Sequence, residues 1–154
     1  MRDLSFVVEK ESIDEDILVI AGDNLIEFSL KDFYNRFNEL DKNLIAVYDI
    51  KDIDKVRKRH GVVVLDGNRV VDFQEKPEEP KSTMKSICCY LFKPGVRGLL
   101  KEYLEEGNSD ATGFFIEWLC KKTDVYSYDV GREKVWDVGN LESLRKVRER
   151  FERG

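Results

Sequence analysis

The stretch Leu18-Val19-Ile20-Ala21-Gly22-Asp23-Asn24 constrains the fold more than any other part of this sequence. Its apolar residues run together without polar alternation, the pattern of a strand covered on both faces in a parallel α/β sheet. The run then stops at a residue without a side chain, an acid and an amide. Ligands of open α/β sheets settle in the crevice beyond the carboxyl ends of the strands, so Asp23 and Asn24 stand where a substrate or metal would sit. Gly22 lets the backbone turn sharply or come close to a ligand. The same residues are ordinary turn formers, and alone they fit a plain strand-to-loop turn equally well.

Strand and helix signals alternate along the rest of the chain. Leu4, Val7 and Val8 have helical spacing over Arg2 to Glu11, with no N-cap residue in front. Ser29 caps a helix to about Leu40 that buries Phe33, Tyr34 and Phe37. A strand from Leu44 to Ile50 and a short polar helix from Ile53 to Arg59 follow. Val62 to Leu65 and Val70 to Glu75 flank Asp66-Gly67-Asn68, a strong hairpin signal. Lys76 precedes Pro77, which favours an extended conformation there. Ile87 to Phe92 reads as a buried strand, and Pro94 opens a helix that ends at Gly107. A helix over Thr112 to Lys122, short strands Val125 to Tyr128 and Val135 to Val138, and a last helix striped by Leu141, Leu144, Val147 and Phe151 complete the chain. The alternation implies an α/β sheet that the hairpin makes mixed.

The 154 residues suit a single domain, and 42% hydrophobic with 37% charged residues fit a folded chain. A net charge of -5 argues against nucleic acid as a partner. Arg145, Lys146, Arg148, Arg150 and Arg153 cluster near the end, but Glu142, Glu149 and Glu152 interleave with them as on a solvated helix face. No apolar run approaches the roughly 18 residues of a membrane span, and Met1-Arg2-Asp3 begins no signal peptide, so a cytoplasmic location without membrane contact is expected. Cys88, Cys89 and Cys120 suggest core packing, neither a disulfide framework nor a zinc site.

Three segments carry candidate chemistry: Asp23-Asn24, Glu75-Lys76-Pro77 and Trp136-Asp137-Val138-Gly139. Two aspartates from distant segments with a lysine nearby can hold a hard cation and a phosphate, because Mg²⁺ takes one or two carboxylates and completes its shell with substrate oxygens. Lysine supplies a compact point charge for a phosphate, which points to phosphoryl chemistry. Taken singly, a Glu-Lys-Pro triplet is usually a strand end and a Trp-x-x-Gly segment usually packing. Their joint occurrence in this order is far more specific.

With Val19-Ile20-Ala21-Gly22-Asp23-Asn24, His60-Gly61-Val62-Val63, Val71-Asp72-Phe73-Gln74-Glu75-Lys76-Pro77, Tyr90-Leu91-Phe92, Gly113-Phe114-Phe115-Ile116-Glu117-Trp118 and Trp136-Asp137-Val138-Gly139, the chain resembles the sugar-phosphate nucleotidyltransferases. The likeness is greatest to the glucose-1-phosphate thymidylyltransferase type. It implies a Rossmann-like fold, with a mixed, mostly parallel sheet and flanking helices. It further implies transfer of a nucleoside monophosphate from a nucleoside triphosphate, dTTP for this type, to a hexose 1-phosphate with release of pyrophosphate. By the same resemblance Asp23 and Asp137 share the catalytic Mg²⁺, and Lys76 grips the phosphate of the sugar phosphate. Glu75 accepts hydrogen bonds from sugar hydroxyls, with Asn24 and the backbone of Gly61 lining the pocket.

The family opens with Gly-Gly-x-Gly-Thr-Arg-Leu, which cradles the triphosphate, whereas the glycines of this sequence occur singly. Residues 1–154 are therefore expected to be a truncated form, the C-terminal portion of a catalytic domain, inactive alone and lacking most of the triphosphate site. His60 stands where tyrosine is usual and reads as a tolerated replacement. Ile87-Cys88 replaces a sugar-contacting Thr-Gly pair, and Asn140 a common threonine. The Asp23 strand should become a sheet edge, and an apolar, uncharged edge templates pairing with another chain. A homo-oligomer or a complementing chain is the expected partner. A module that only binds sugar phosphate, or only assembles through that edge, is the alternative.

Overall fold

The computed structural model describes residues 1–108 and 110–152. Eight strands alternate with six helices: α1 (Arg2–Lys10), β1 (Ile17–Ile20), β2 (Asn24–Ile26), α2 (Leu30–Leu40), β3 (Asn43–Asp49), α3 (Ile53–Val56), β4 (Gly61–Asp66), β5 (Arg69–Glu75), β6 (Met84–Phe92), α4 (Val96–Glu105), α5 (Thr112–Lys122), β7 (Val125–Asp129), β8 (Val135–Asp137) and α6 (Leu141–Phe151). Six strands form one sheet in the order β1-β6-β3-β7-β5-β4, and β2 and β8 form a separate ribbon.

The expected mixed α/β architecture with flanking helices is present, but parallel pairs do not dominate. Among the described residues only β3 and β7 pair in parallel. The reason lies in the connections. Gly67, at φ +57°, closes the two-residue hairpin between β4 and β5. β6 then returns between β1 and β3, antiparallel to both.

Helices α2, α4 and α5 dock where their apolar stripes dictate. On one face of the sheet, Phe33 and Phe37 of α2 pack with Leu44, Ala46, Tyr48, Val62 and Leu91. On the other, Leu100 and Tyr103 of α4 and Phe115, Ile116 and Leu119 of α5 pack with Ile45, Val47, Phe73 and Phe92. The Ser29 hydroxyl caps α2 by accepting the Asp32 N–H at 3.1 Å. The uncapped start of α1 is held from a distance: Asp110 accepts from the Met1 ammonium at 2.6 Å and the Arg2 N–H at 2.7 Å.

Four local expectations are corrected. Tyr34, expected in the buried stripe of α2, is 48% exposed. β1 is not covered on both faces: it alternates, leaving Leu18 and Ile20 45% and 38% exposed, because a strand with a neighbour on one side lies at the sheet margin. Lys76 is not extended but has φ +47°, a left-handed conformation. Its N–H donates to the His60 carbonyl at 3.2 Å, while the Lys58 N–H donates to the Pro77 carbonyl at 2.9 Å. These two bonds prolong the β4–β5 ladder through a sharp turn, and such backbone costs about 1–3 kcal/mol and persists where the surrounding structure over-determines it. The stripe on α6 stays largely uncovered, with Leu141 72% and Phe151 49% exposed. The basic cluster there is partly paired, Lys146 with Glu142 at 2.6 Å and Arg150 with Glu27 at 3.6 Å; Arg153 lies outside the described residues. All three cysteines are free, and no described helix is long and apolar enough to cross a membrane.

Candidate active site

A cleft of about 460 Å³ opens beyond β1, and every residue singled out from the sequence, Asp23, Asn24, Gly61, Glu75, Lys76 and Asp137, lines it. Two separate pieces of structure bring them together.

The first is the β2–β8 ribbon. Asn24 lies opposite Asp137 in its antiparallel register. The Val138 N–H donates to the Asp23 carbonyl at 2.8 Å, so the two aspartates, far apart in sequence, leave the ribbon side by side. Trp136 secures β8 from behind: its indole N–H donates to the Glu27 carboxylate, and the Arg150 guanidinium stacks 4.7 Å from its ring centre.

The second is the end of the β4–β5 hairpin, where Gly61 lies opposite Glu75. Here glycine is a packing requirement. A Cβ on Gly61 would lie 2.7 Å from Phe73 Cζ, and one on Gly113, in the first turn of α5, would coincide with the Glu75 carboxylate. The Glu75 side chain is thus pressed between two glycine backbones and is 9% exposed. Its N–H donates to Glu117 Oε2 at 3.2 Å, tying β5 to α5. Burial pushes the Glu75 carboxyl up from its usual range; the Lys76 ammonium, 3.8 Å away, partly counters this, and Glu117 adds to it. Lys76 itself is 60% exposed at the mouth of the cleft, free to meet an anion.

Sequence reasoning missed Lys85. It sits on β6, between Tyr48 of β3 and Val62 of β4, 9% exposed at the side chain. Its ammonium lies 3.9 Å from Asp137 Oδ2 and 5.6 Å from the Tyr48 ring centre. The available signal was a lysine immediately before an apolar run, but the strand was expected to begin at Ile87, which left Lys85 in a loop. His60 also faces the cleft. Burial, and then the Lys85 charge, lower its imidazole from 6.5 to about 4, so it lines the wall as a neutral group at pH 7.

Two hard carboxylates that line the cleft, Asp23 and Asp137, could hold a metal. No group of three or more His, Cys, Asp or Glu residues converges among the described residues. That pair fits Mg²⁺, which keeps water and phosphate oxygens in its shell, better than a fully protein-ligated ion. Chemically, the cleft can hold a dianionic phosphate at Lys76, a polyol against Glu75 and Asn24, and a cation between them.

Residues 4–154 match the nucleotidyl transferase family. A bifunctional GlmU protein of Methanocaldococcus jannaschii is 33% identical over 139 residues, 84% of this chain and 31% of that protein. Apo UDP-glucose pyrophosphorylase superposes with a TM-score of 0.78 at 20% identity, covering 95% of this chain and 57% of that one. A putative glucose-1-phosphate thymidylyltransferase from Bacillus anthracis, solved with a sucrose, gives 0.75 at 19% identity, covering 96% and 58%. The chain thus spans about a third of the curated relative and under two thirds of the solved structures. With 151 of its residues inside the family match, the chain belongs to the nucleotidyl transferase family.

Proposed function

We propose that this chain supplies the sugar-phosphate and metal half of a sugar-1-phosphate nucleotidyltransferase site, and that the triphosphate half comes from another polypeptide segment. The observation that carries this reading is the convergence of Asp23, Asn24 and Asp137 from the ribbon with Glu75 and Lys76 from the hairpin in one cleft. The reaction transfers a nucleoside monophosphate, from dTTP in the thymidylyltransferase type, to a hexose 1-phosphate. A phosphate oxygen of the sugar phosphate attacks the α-phosphorus in line, the bond to the β-phosphate breaks, and pyrophosphate leaves.

In this scheme Lys76 holds the sugar phosphate and fixes the direction of attack. Glu75, already desolvated and immobile, accepts from sugar hydroxyls without reorganising, and Asn24 offers an amide to the same ligand. Bound Mg²⁺ would be held by Asp23 and Asp137 and would supply charge stabilisation at the phosphoryl oxygens. No protein nucleophile is required; positioning and electrostatics carry the rate.

Two measurements test the reading. Calorimetry with glucose 1-phosphate and Mg²⁺ should give saturable binding to the chain alone, while pyrophosphate release from dTTP plus glucose 1-phosphate should stay at background until a complementing segment is added. Turnover by the chain alone would sink the division of labour, and absence of sugar-phosphate binding would sink the site.

A second reading, an assembly module, is favoured by one observation: β1 has β6 on one side only, and Leu18 and Ile20 are exposed. Under either reading the chain associates through this margin, with itself or with the complementing segment. A strictly monomeric state in light scattering that persists with that segment present would refute it.

A further inference from the structure

Lys85 lines the cleft, and the proposed reaction leaves its charge unused. A buried ammonium needs a counter-ion, because its desolvation is otherwise uncompensated. Among the described residues the carboxylate within ion-pairing distance of Lys85 is Asp137, at 3.9 Å. Its ammonium also lies 5.6 Å from the centre of the neutral Tyr48 ring. The backbone cannot swing Lys85 away, since its residue is paired with β3 and β4 in the interior of the sheet. Asp137, by contrast, is 52% exposed and carries the carboxylate expected of a metal ligand. One carboxylate therefore faces two cations.

We propose that Lys85 is the resident counter-cation of the metal site: it pairs with Asp137, opposes entry of a divalent cation, and is released toward a bound phosphate when the cation takes Asp137. The inference rests on the reading of Asp23 and Asp137 as metal ligands. It makes metal and phosphate binding cooperative through a side chain, because an ammonium displaced from Asp137 loses its one ion-pair partner among the described residues, and a phosphate dianion in the same cleft supplies the replacement charge. Burial already works against the Lys85 charge and Asp137 restores it, so the pair is held mainly by that one carboxylate.

Mn²⁺ binding to the full chain, followed by electron paramagnetic resonance with and without inorganic phosphate, tests this. Lys85→Met should bind Mn²⁺ about tenfold more tightly than the unmutated chain without phosphate, in line with the 10- to 100-fold leverage of groups around a metal site. Lys85→Arg, which keeps the charge, should stay near the unmutated affinity. Phosphate should tighten Mn²⁺ binding to the unmutated chain more than to Lys85→Met. Equal or weaker binding by a folded Lys85→Met overturns the proposal. Mn²⁺ binding insensitive to Asp137→Asn removes the metal reading itself, and the proposal with it. Should Lys85→Met not fold, the ¹⁵N ammonium resonance of Lys85 in the unmutated chain decides: it should move on addition of Mg²⁺, and an unmoved resonance at saturating Mg²⁺ overturns the exchange.

Discussion

The two walls of the cleft are built differently. The hairpin wall is part of the core: Glu75 is 9% exposed, seated on Gly61 and Gly113, and tied through its backbone to Glu117 of α5. The ribbon wall is an appendage of two three-residue strands, and its Asp137 is 52% exposed. A polyol ligand has many hydroxyls whose positions must be matched, and a rigid, desolvated acceptor does this without ordering cost at binding. A cation completes its own shell with water and phosphate, so its wall can stay open. Changes to the hairpin wall should therefore disturb folding and sugar-phosphate binding together, and changes to the ribbon should disturb binding with little effect on folding.

Lys76 is the sharpest exception, because it belongs to the hairpin wall but points into solvent. In the complemented enzyme Lys76→Ala should lower turnover by about 10² to 10³, the usual loss when one electrostatic stabiliser is removed. Its melting temperature should stay unchanged. An unaltered rate of pyrophosphate release would remove Lys76 from the site.

Gly113→Ala should show the coupling of fold and site directly. The new methyl would occupy the position of the Glu75 carboxylate, which would have to move off its seat. Overpacking of this kind costs about 1–3 kcal/mol, and calorimetry should show glucose 1-phosphate affinity falling by roughly 10- to 100-fold alongside it. If affinity falls and denaturant stability does not, the wall is less embedded in the core than the packing implies.

The pH dependence sharpens the comparison at the junction of the walls, where His60 is pressed by burial and by Lys85. Its folded value of about 4 lies below the ordinary 6.5. The stability it contributes is therefore complete above pH 6.5 and is lost as the pH falls through 4, as the unfolded chain takes up a proton that the folded chain refuses. The slope from this one group is at most about 1.4 kcal/mol per pH unit. His60→Gln should flatten the melting temperature over this window, and parallel curves for the two proteins would show that the imidazole is not held neutral.

The same contrast explains what the sequence could and could not disclose. The order Asp23-Asn24, Glu75-Lys76, Asp137 was legible because each sits where a strand ends, and the apolar runs mark strand ends well. That both aspartates leave one ribbon was not legible, since the pairing of Asn24 with Asp137 is a long-range register with no local signal. Parallel pairing was over-expected for the same reason: an apolar run such as Leu18 to Ala21 says nothing of direction, which is set by the distant strand it meets, and at the sheet margin not even its burial follows, since Leu18 and Ile20 are exposed. Lys76 shows tertiary demand overriding local preference, its pre-proline bias toward extended backbone yielding to the hydrogen bond with His60. Lys85 stayed hidden because its importance comes from Asp137, which only the fold brings near.

The smallest expected effect lies behind the ribbon. Arg150 of α6 stacks on Trp136 and pairs with Glu27 at 3.6 Å, so α6 braces β8 while burying none of its described residues. An exposed cation–π contact is worth about 0.5–1 kcal/mol, and an exposed ion pair adds little more. Arg150→Ala should accordingly change Trp136 fluorescence, weaken Mn²⁺ binding by no more than about fivefold, and leave glucose 1-phosphate binding in the absence of metal intact. A loss of sugar-phosphate binding on the scale of Gly113→Ala would mean that the ribbon and the hairpin act as one unit, and the division between an embedded wall and an appended one would fail.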